Sequence, residues 1–157
     1  MDDVTIARAL HVLGVIHWIG GLVMVTLVIL PPTARLSDPA AHLALFETVK
    51  RRFGVQARWS VSLVGLTGLW MTWRLDAWWR FAEPGYWWMQ AMLALWALFT
   101  LLLFVAEPLV LHAWLERRAA RDPAGTLAFA LRAHRLLLAF AGATVAGAVL
   151  GAHGLLY

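Results

Sequence analysis

The chain has 157 residues, 62% of them hydrophobic and 14% charged, with a net charge of +4 and no cysteine. Soluble domains run at about 45–50% apolar and about 25% charged, so this composition is that of an integral membrane protein. At about 20 apolar residues per crossing it has room for four or five helices and none for a globular catalytic domain. The lack of cysteine excludes disulfide exchange, thiolate metal sites, iron–sulfur clusters and haem tethered through a C-x-x-C-H motif.

Four nearly uncharged stretches, Ala9–Leu30, Phe53–Trp73, Tyr86–Leu111 and Leu136–Tyr157, are each long enough to cross a bilayer. The expected fold is all-α: one domain over 1–157, a polytopic bundle of four transmembrane helices with a short interfacial helix in the first cytoplasmic loop. The first span follows Asp2 and Asp3 rather than basic residues and is too long for a signal-peptide core, so it is expected to be a permanent helix.

The loop from Pro31 to Arg58 is basic, with Arg35, Lys50, Arg51, Arg52 and Arg58 against Asp38 and Glu47. In it Asp38 can cap, and Pro39 start, a helix with Leu43, Phe46, Val49 and Phe53 on one face. That pattern suits a helix lying among lipid headgroups, with a solvated connector as the plainer alternative. His42 is read as solvated there.

The second loop, Arg74 to Tyr86, balances Arg74 and Arg80 against Asp76 and Glu83. Trp70, Trp73, Trp78, Trp79, Trp87 and Trp88 bracket it and read as an interfacial aromatic belt, with a quinone or aromatic-ligand site as the sharper alternative. The third loop, His112 to Arg135, is again basic, through Arg117, Arg118, Arg121, Arg132 and Arg135. Basic first and third loops face the cytoplasm, which puts both termini and the second loop on the far side, the periplasm for a bacterial inner membrane. This topology accounts for the positive charge without a nucleic-acid partner.

The two basic loops resemble each other. Asp38-Pro39-Ala40 with Leu43-Ala44 matches Asp122-Pro123-Ala124 with Leu127-Ala128 at an offset of 84, as a duplicated hairpin would.

Histidines carry the functional signal, because ionisable side chains in a span are expensive and are functional candidates by default. His11 and His153 lie about 5 Å and about 6 Å below the outer ends of the first and last spans, at one depth. His112 and His134 share a depth at the inner ends. Facing imidazoles across a helical bundle can hold a haem as its axial ligands. Gly14 and Gly21 on the first helix and Gly147, Gly151 and Gly154 on the last permit close approach of a macrocycle, or of helices.

His17 lies deeper, about 120° around the helix from His11, and is a substitute ligand or belongs to a separate site. Arg58 and Glu107, near the inner end, can pair with each other. Arg58 can alternatively hold a haem propionate, while Glu107 and His112 relay protons beside the helix-kinking Pro108. The candidate cofactor-binding set is therefore His11, His153, His17, His112, His134 and Arg58, with His11 and His153 as metal ligands.

Leu10-His11-Val12-Leu13-Gly14-Val15-Ile16-His17-Trp18-Ile19-Gly20-Gly21 resembles the first-helix signature L-H-x-x-x-V-x-x-W-x-G-G of the CopD-like membrane proteins and the related HemJ-type protoporphyrinogen oxidases. The second span is similar too, from Lys50-Arg51-Arg52 to Gly65-Leu66-Thr67-Gly68-Leu69-Trp70. The resemblance implies a small helical bundle binding b-type haem, with His11 as the first-helix histidine, or copper handling as in the copper-resistance members. HemJ-type enzymes carry a basic residue early in the third span, where this chain reads Trp88-Met89-Gln90-Ala91-Met92.

The leading expectation is a haem b protein, with one or two haems, passing electrons in the membrane to a quinone or a redox protein. If an enzyme, it is a haem-dependent membrane oxidoreductase. Copper handling through Met71, Met89, Met92, His11 and His153 is the alternative, since thioether and imidazole suit Cu(I). A third reading is a non-catalytic haem-binding subunit of a larger complex, or a homo-oligomer.

Overall fold

The computed structural model describes residues 2–33 and 39–155, and every regular element in them is helical. Helix α1 (Asp2–Val23) passes through a π-helical stretch (Met24–Ile29) into the short α2 (Leu30–Thr33), and α3 spans Pro39–Arg74. Two 3-10 turns, Trp78–Phe81 and Pro84–Tyr86, lead into α4 (Trp87–Leu101). A second π-helical stretch, Leu102–Leu111, connects α4 to α5 (His112–Arg121), and α6 covers Pro123–Ala152.

Three of these stretches, Asp2–Ile29, Pro84–Arg121 and Pro123–Ala152, are long and apolar enough to cross a membrane. Helix α3 has 36 residues but is less apolar, since it carries Glu47, Lys50, Arg51, Arg52, Gln56, Arg58 and Arg74; its buried residues include Ser60, Thr67 and Thr72 beside Ala57, Val61 and Val64. Ser60 donates to the Gln56 carbonyl at 3.1 Å, Thr67 to Leu63 at 2.7 Å and Thr72 to Gly68 at 2.9 Å. Each hydroxyl is thus satisfied one turn back on its own helix, which makes it tolerable in an apolar interior.

One core draws on all four long helical segments: Trp18 and Leu22, Val61 and Val64, Leu95 and Phe99, and Ala141. Trp18 meets Phe99 edge-on at 4.8 Å. A second cluster, Val25, Leu30, Leu127 and Ala130, closes the inner end. At the outer end Arg74 Nε donates to Asp3 Oδ2 at 2.7 Å, so the start of α1 and the end of α3 lie together and the two helices run antiparallel.

Two loops differ from the sequence expectation. The helix expected to start at Pro39 does so, but nothing in the segment from 40 to 74 is a proline, and α3 runs unbroken into the second apolar stretch. No separate surface helix is delimited there. Asp38 as its cap, and the side chains of His42, Leu43 and Phe46, lie outside the described residues.

The third loop is almost wholly helical, α5 and α6 being joined by Asp122 alone. Its Oδ1 accepts from the Gly125 N–H at 2.8 Å and Pro123 opens the helix, a standard N-terminal arrangement. Trp114 packs edge-on against Phe129 at 5.4 Å, and the Arg118 guanidinium covers both rings. Basic residues reside comfortably on such helices, so charge density was no sign of a loop.

Candidate functional site

His11 projects from α1 toward α3. Its Nδ1 lies 3.0 Å from the Val64 carbonyl oxygen and 3.1 Å from Thr67 Oγ1. A carbonyl only accepts, and the Thr67 hydroxyl already donates to Leu63, so Nδ1 carries the proton. The neutral ring therefore presents Nε2 with its lone pair available, the state in which a histidine ligates a metal. Gly68 makes room for the ring, since a methyl group there would sit 3.2 Å from His11 Cε1.

His153 follows the last residue of α6 and is exposed, with Nδ1 2.7 Å from the Val149 carbonyl. The same reasoning leaves its Nε2 available. The recorded partners of His11 thus lie on α3, and those of His153 on its own helix. His17 is exposed on α1 and has no hydrogen-bond partner among the described residues.

At the inner end, His112 Nε2 lies 3.3 Å from Glu116 Oε1, one turn on. His134 Nδ1 lies 2.8 Å from the Ala130 carbonyl. Each is held within its own helix.

Of the glycines singled out with the outer histidines, Gly14, Gly21, Gly147 and Gly151 are occupied by neighbouring helices, whereas Gly154, next to His153, meets nothing within 4 Å. A methyl at Gly14 would lie 2.8 Å from Val64 Cγ2, and one at Gly21, Gly147 or Gly151 would overlap Phe53, Trp87 or Trp88 respectively. These faces serve helix packing and form no open slot. The indole N–H groups of Trp18 and Trp88 are buried there without an acceptor, and Trp88 lies against Gly151, two residues before His153. Unpaired buried donors are uncommon and mark where an acceptor is missing.

Arg58 and Glu107 form the pair anticipated from the sequence, Nη2 to Oε2 at 3.0 Å. Sequence reading alone did not show the second bond, from Arg58 Nε to the Leu103 carbonyl at 3.1 Å. Its signal was Pro108. In π-helical i→i+5 pairing the Leu103 carbonyl faces residue 108, and proline has no N–H to offer. The guanidinium supplies the missing donor and, through the same group, neutralises the Glu107 carboxylate.

Among the described residues no three histidine or carboxylate side chains converge into a metal-binding group. No protein-family model matches the chain, and no curated protein or solved structure is significantly similar to it.

Proposed function

We propose that the chain is a membrane-embedded b-type haem protein that carries electrons within the bilayer, with His11 as an axial ligand. The carrying observation is the His11 ring itself: an imidazole in an apolar helix whose Nδ1–H is fixed by the Val64 carbonyl, leaving Nε2 for iron. A porphyrin brings four equatorial nitrogens of its own, so single imidazoles suffice, whereas a bare copper ion needs several converging protein donors. That difference favours haem over copper handling through Met71, Met89, Met92, His11 and His153.

His153 is the proposed second ligand, at the same depth as His11, with His17 as its substitute. Gly14, Gly147 and Gly151 are filled by neighbouring side chains, so His11 and His153 would hold the group without help from those glycines. Bound haem supplies a one-electron couple; the chain's part is to fix the ring tautomer and surround the iron with apolar side chains. The first-helix resemblance to CopD-like and HemJ-type proteins points the same way.

In this reading α3 is the fourth crossing. Its 36 residues extend about 54 Å against a hydrocarbon layer of about 30 Å, and the Asp3–Arg74 pair sets its end level with the start of α1. Both termini then face the periplasmic side of a bacterial inner membrane.

The test is haem content by pyridine haemochrome in detergent-purified wild type, His11→Ala and His153→Ala. Loss of haem from His11→Ala with retained fold is the expected result. Full occupancy with an unchanged low-spin spectrum in both variants, or copper in place of haem in well-folded wild type, would overturn the reading.

A further inference from the structure

A groove of about 290 Å³ opens on the bundle surface between α3 and the start of the second π-helical stretch, lined by Val55, Arg58, Trp59, Ser62 and Phe104. The four α3 residues follow the helical spacing i, i+3, i+4, i+7 and so form one face. Trp59 is 76% exposed and Phe104 44%, so the groove is open toward lipid and walled by two aromatic rings. None of the histidines lines it.

Two polar groups in this wall have hydrogen-bonding capacity unspent. Arg58 uses Nε on Leu103 and Nη2 on Glu107, which leaves the Nη1 hydrogens without an acceptor among the described residues. Ser62 is the more telling. Ser60, Thr67 and Thr72 on the same helix all bond back to a carbonyl one turn away, while the Ser62 hydroxyl has no hydrogen-bond partner among the described residues. Bare donors facing lipid are costly unless something fills the place.

We infer that this groove binds the head ring of a lipid-soluble quinone, its carbonyl oxygen accepting from Arg58 and Ser62 and its ring lying against Trp59 and Phe104. The charge pattern selects this occupant. Arg58 is already paired with Glu107 at 3.0 Å, so the pair as a whole carries no net charge to attract a lipid phosphate, while the Nη1 hydrogens and the Ser62 hydroxyl still suit a neutral acceptor beside the two aromatic rings. The volume sits at the low end of ligand pockets, about 300–1,000 Å³. It holds a single ring and leaves an isoprenoid tail in the bilayer.

The inference names the mobile redox partner of the proposed haem protein and in that sense rests on that reading, but binding and haem content are measured separately. Decylubiquinone is titrated into the purified full chain in phosphatidylcholine nanodiscs, with equilibrium binding as the readout and pyridine haemochrome on the same samples. Saturable binding is expected in wild type. Ser62→Leu, which fills the groove without touching the Arg58–Glu107 pair, and Trp59→Ala, at an exposed position, should each weaken it about tenfold or more with unchanged unfolding temperature.

Wild-type affinity in both variants, or no saturable binding by folded wild type, overturns the inference. Displacement of decylubiquinone by phosphatidylglycerol in the nanodiscs overturns it too and makes the groove a headgroup site. Quinone binding to protein that carries no haem upholds the groove and removes the electron-carrier reading instead.

Discussion

Arg58 Nε hydrogen-bonds to the carbonyl of Leu103, 3.1 Å away on another helix, at the position Pro108 leaves without a donor. The proline and the arginine therefore form one device across two helices. Removing the arginine strands a carbonyl and a carboxylate together; restoring an N–H at 108 should relieve the first of these. Arg58→Gln is expected to destabilise less in a Pro108→Ala background than in wild type, with a coupling of about 1 kcal/mol, within the range for directly interacting sites. The measurement is a double-mutant cycle of unfolding free energies in detergent. Strict additivity would separate the two residues.

The His11 ring is held by one carbonyl and one hydroxyl, so its partners can be tested apart. Thr67→Val removes the hydroxyl and keeps the shape and the Val64 carbonyl, and should lower haem affinity about tenfold, as loss of an outer hydrogen bond to a ligand does. Haem titration of apoprotein reads it directly. An affinity equal to wild type would show that the Val64 bond alone orients the ring.

Close approach at the glycines gives a contrast within one residue type. Gly21→Ala and Gly147→Ala force a methyl into Phe53 and Trp87 and should destabilise by about 1–3 kcal/mol, the usual cost of overpacking. Gly20→Ala and Gly142→Ala meet nothing within 4 Å and should be neutral or stabilising by up to about 1 kcal/mol through helix propensity. Thermal unfolding of the four variants in one detergent decides it; equal shifts in both pairs would mean that the close contacts carry no energetic weight.

The topology proposed from the α1–α3 pairing and the basic segments can be read by reporter fusions. With Asp3 and Arg74 joined at one end, fusions after Ala82 and at the C-terminus should report the periplasmic side, and a fusion within Arg118–Arg121 the cytoplasm. A cytoplasmic signal at Ala82 would overturn this placement.

Much of this was legible in the residues. Composition and apolar runs give an all-helical chain with helices apolar enough to span a membrane, Pro39 starts its helix as expected, and Arg58 and Glu107 find each other. The third loop was not, because positive charge reports which side of a membrane a segment faces and says little about whether it is helical. Helical depth placed His11 and His153 at one level, but depth carries no azimuth. That His11 turns toward Val64 and Thr67 depends on the packing of α1 against α3, whose only local trace is the notch at Gly68. The glycine stripes were ambiguous for the same reason: a small residue admits whatever arrives, and here aromatic rings arrive.

The one-residue junction at Asp122 has a mechanical consequence. With Oδ1 capping α6 and Arg118 clamped across Trp114 and Phe129, α5 has no slack in which to swing while α6 stays still. Any displacement of α5 is therefore expected to carry the first turn of α6 with it.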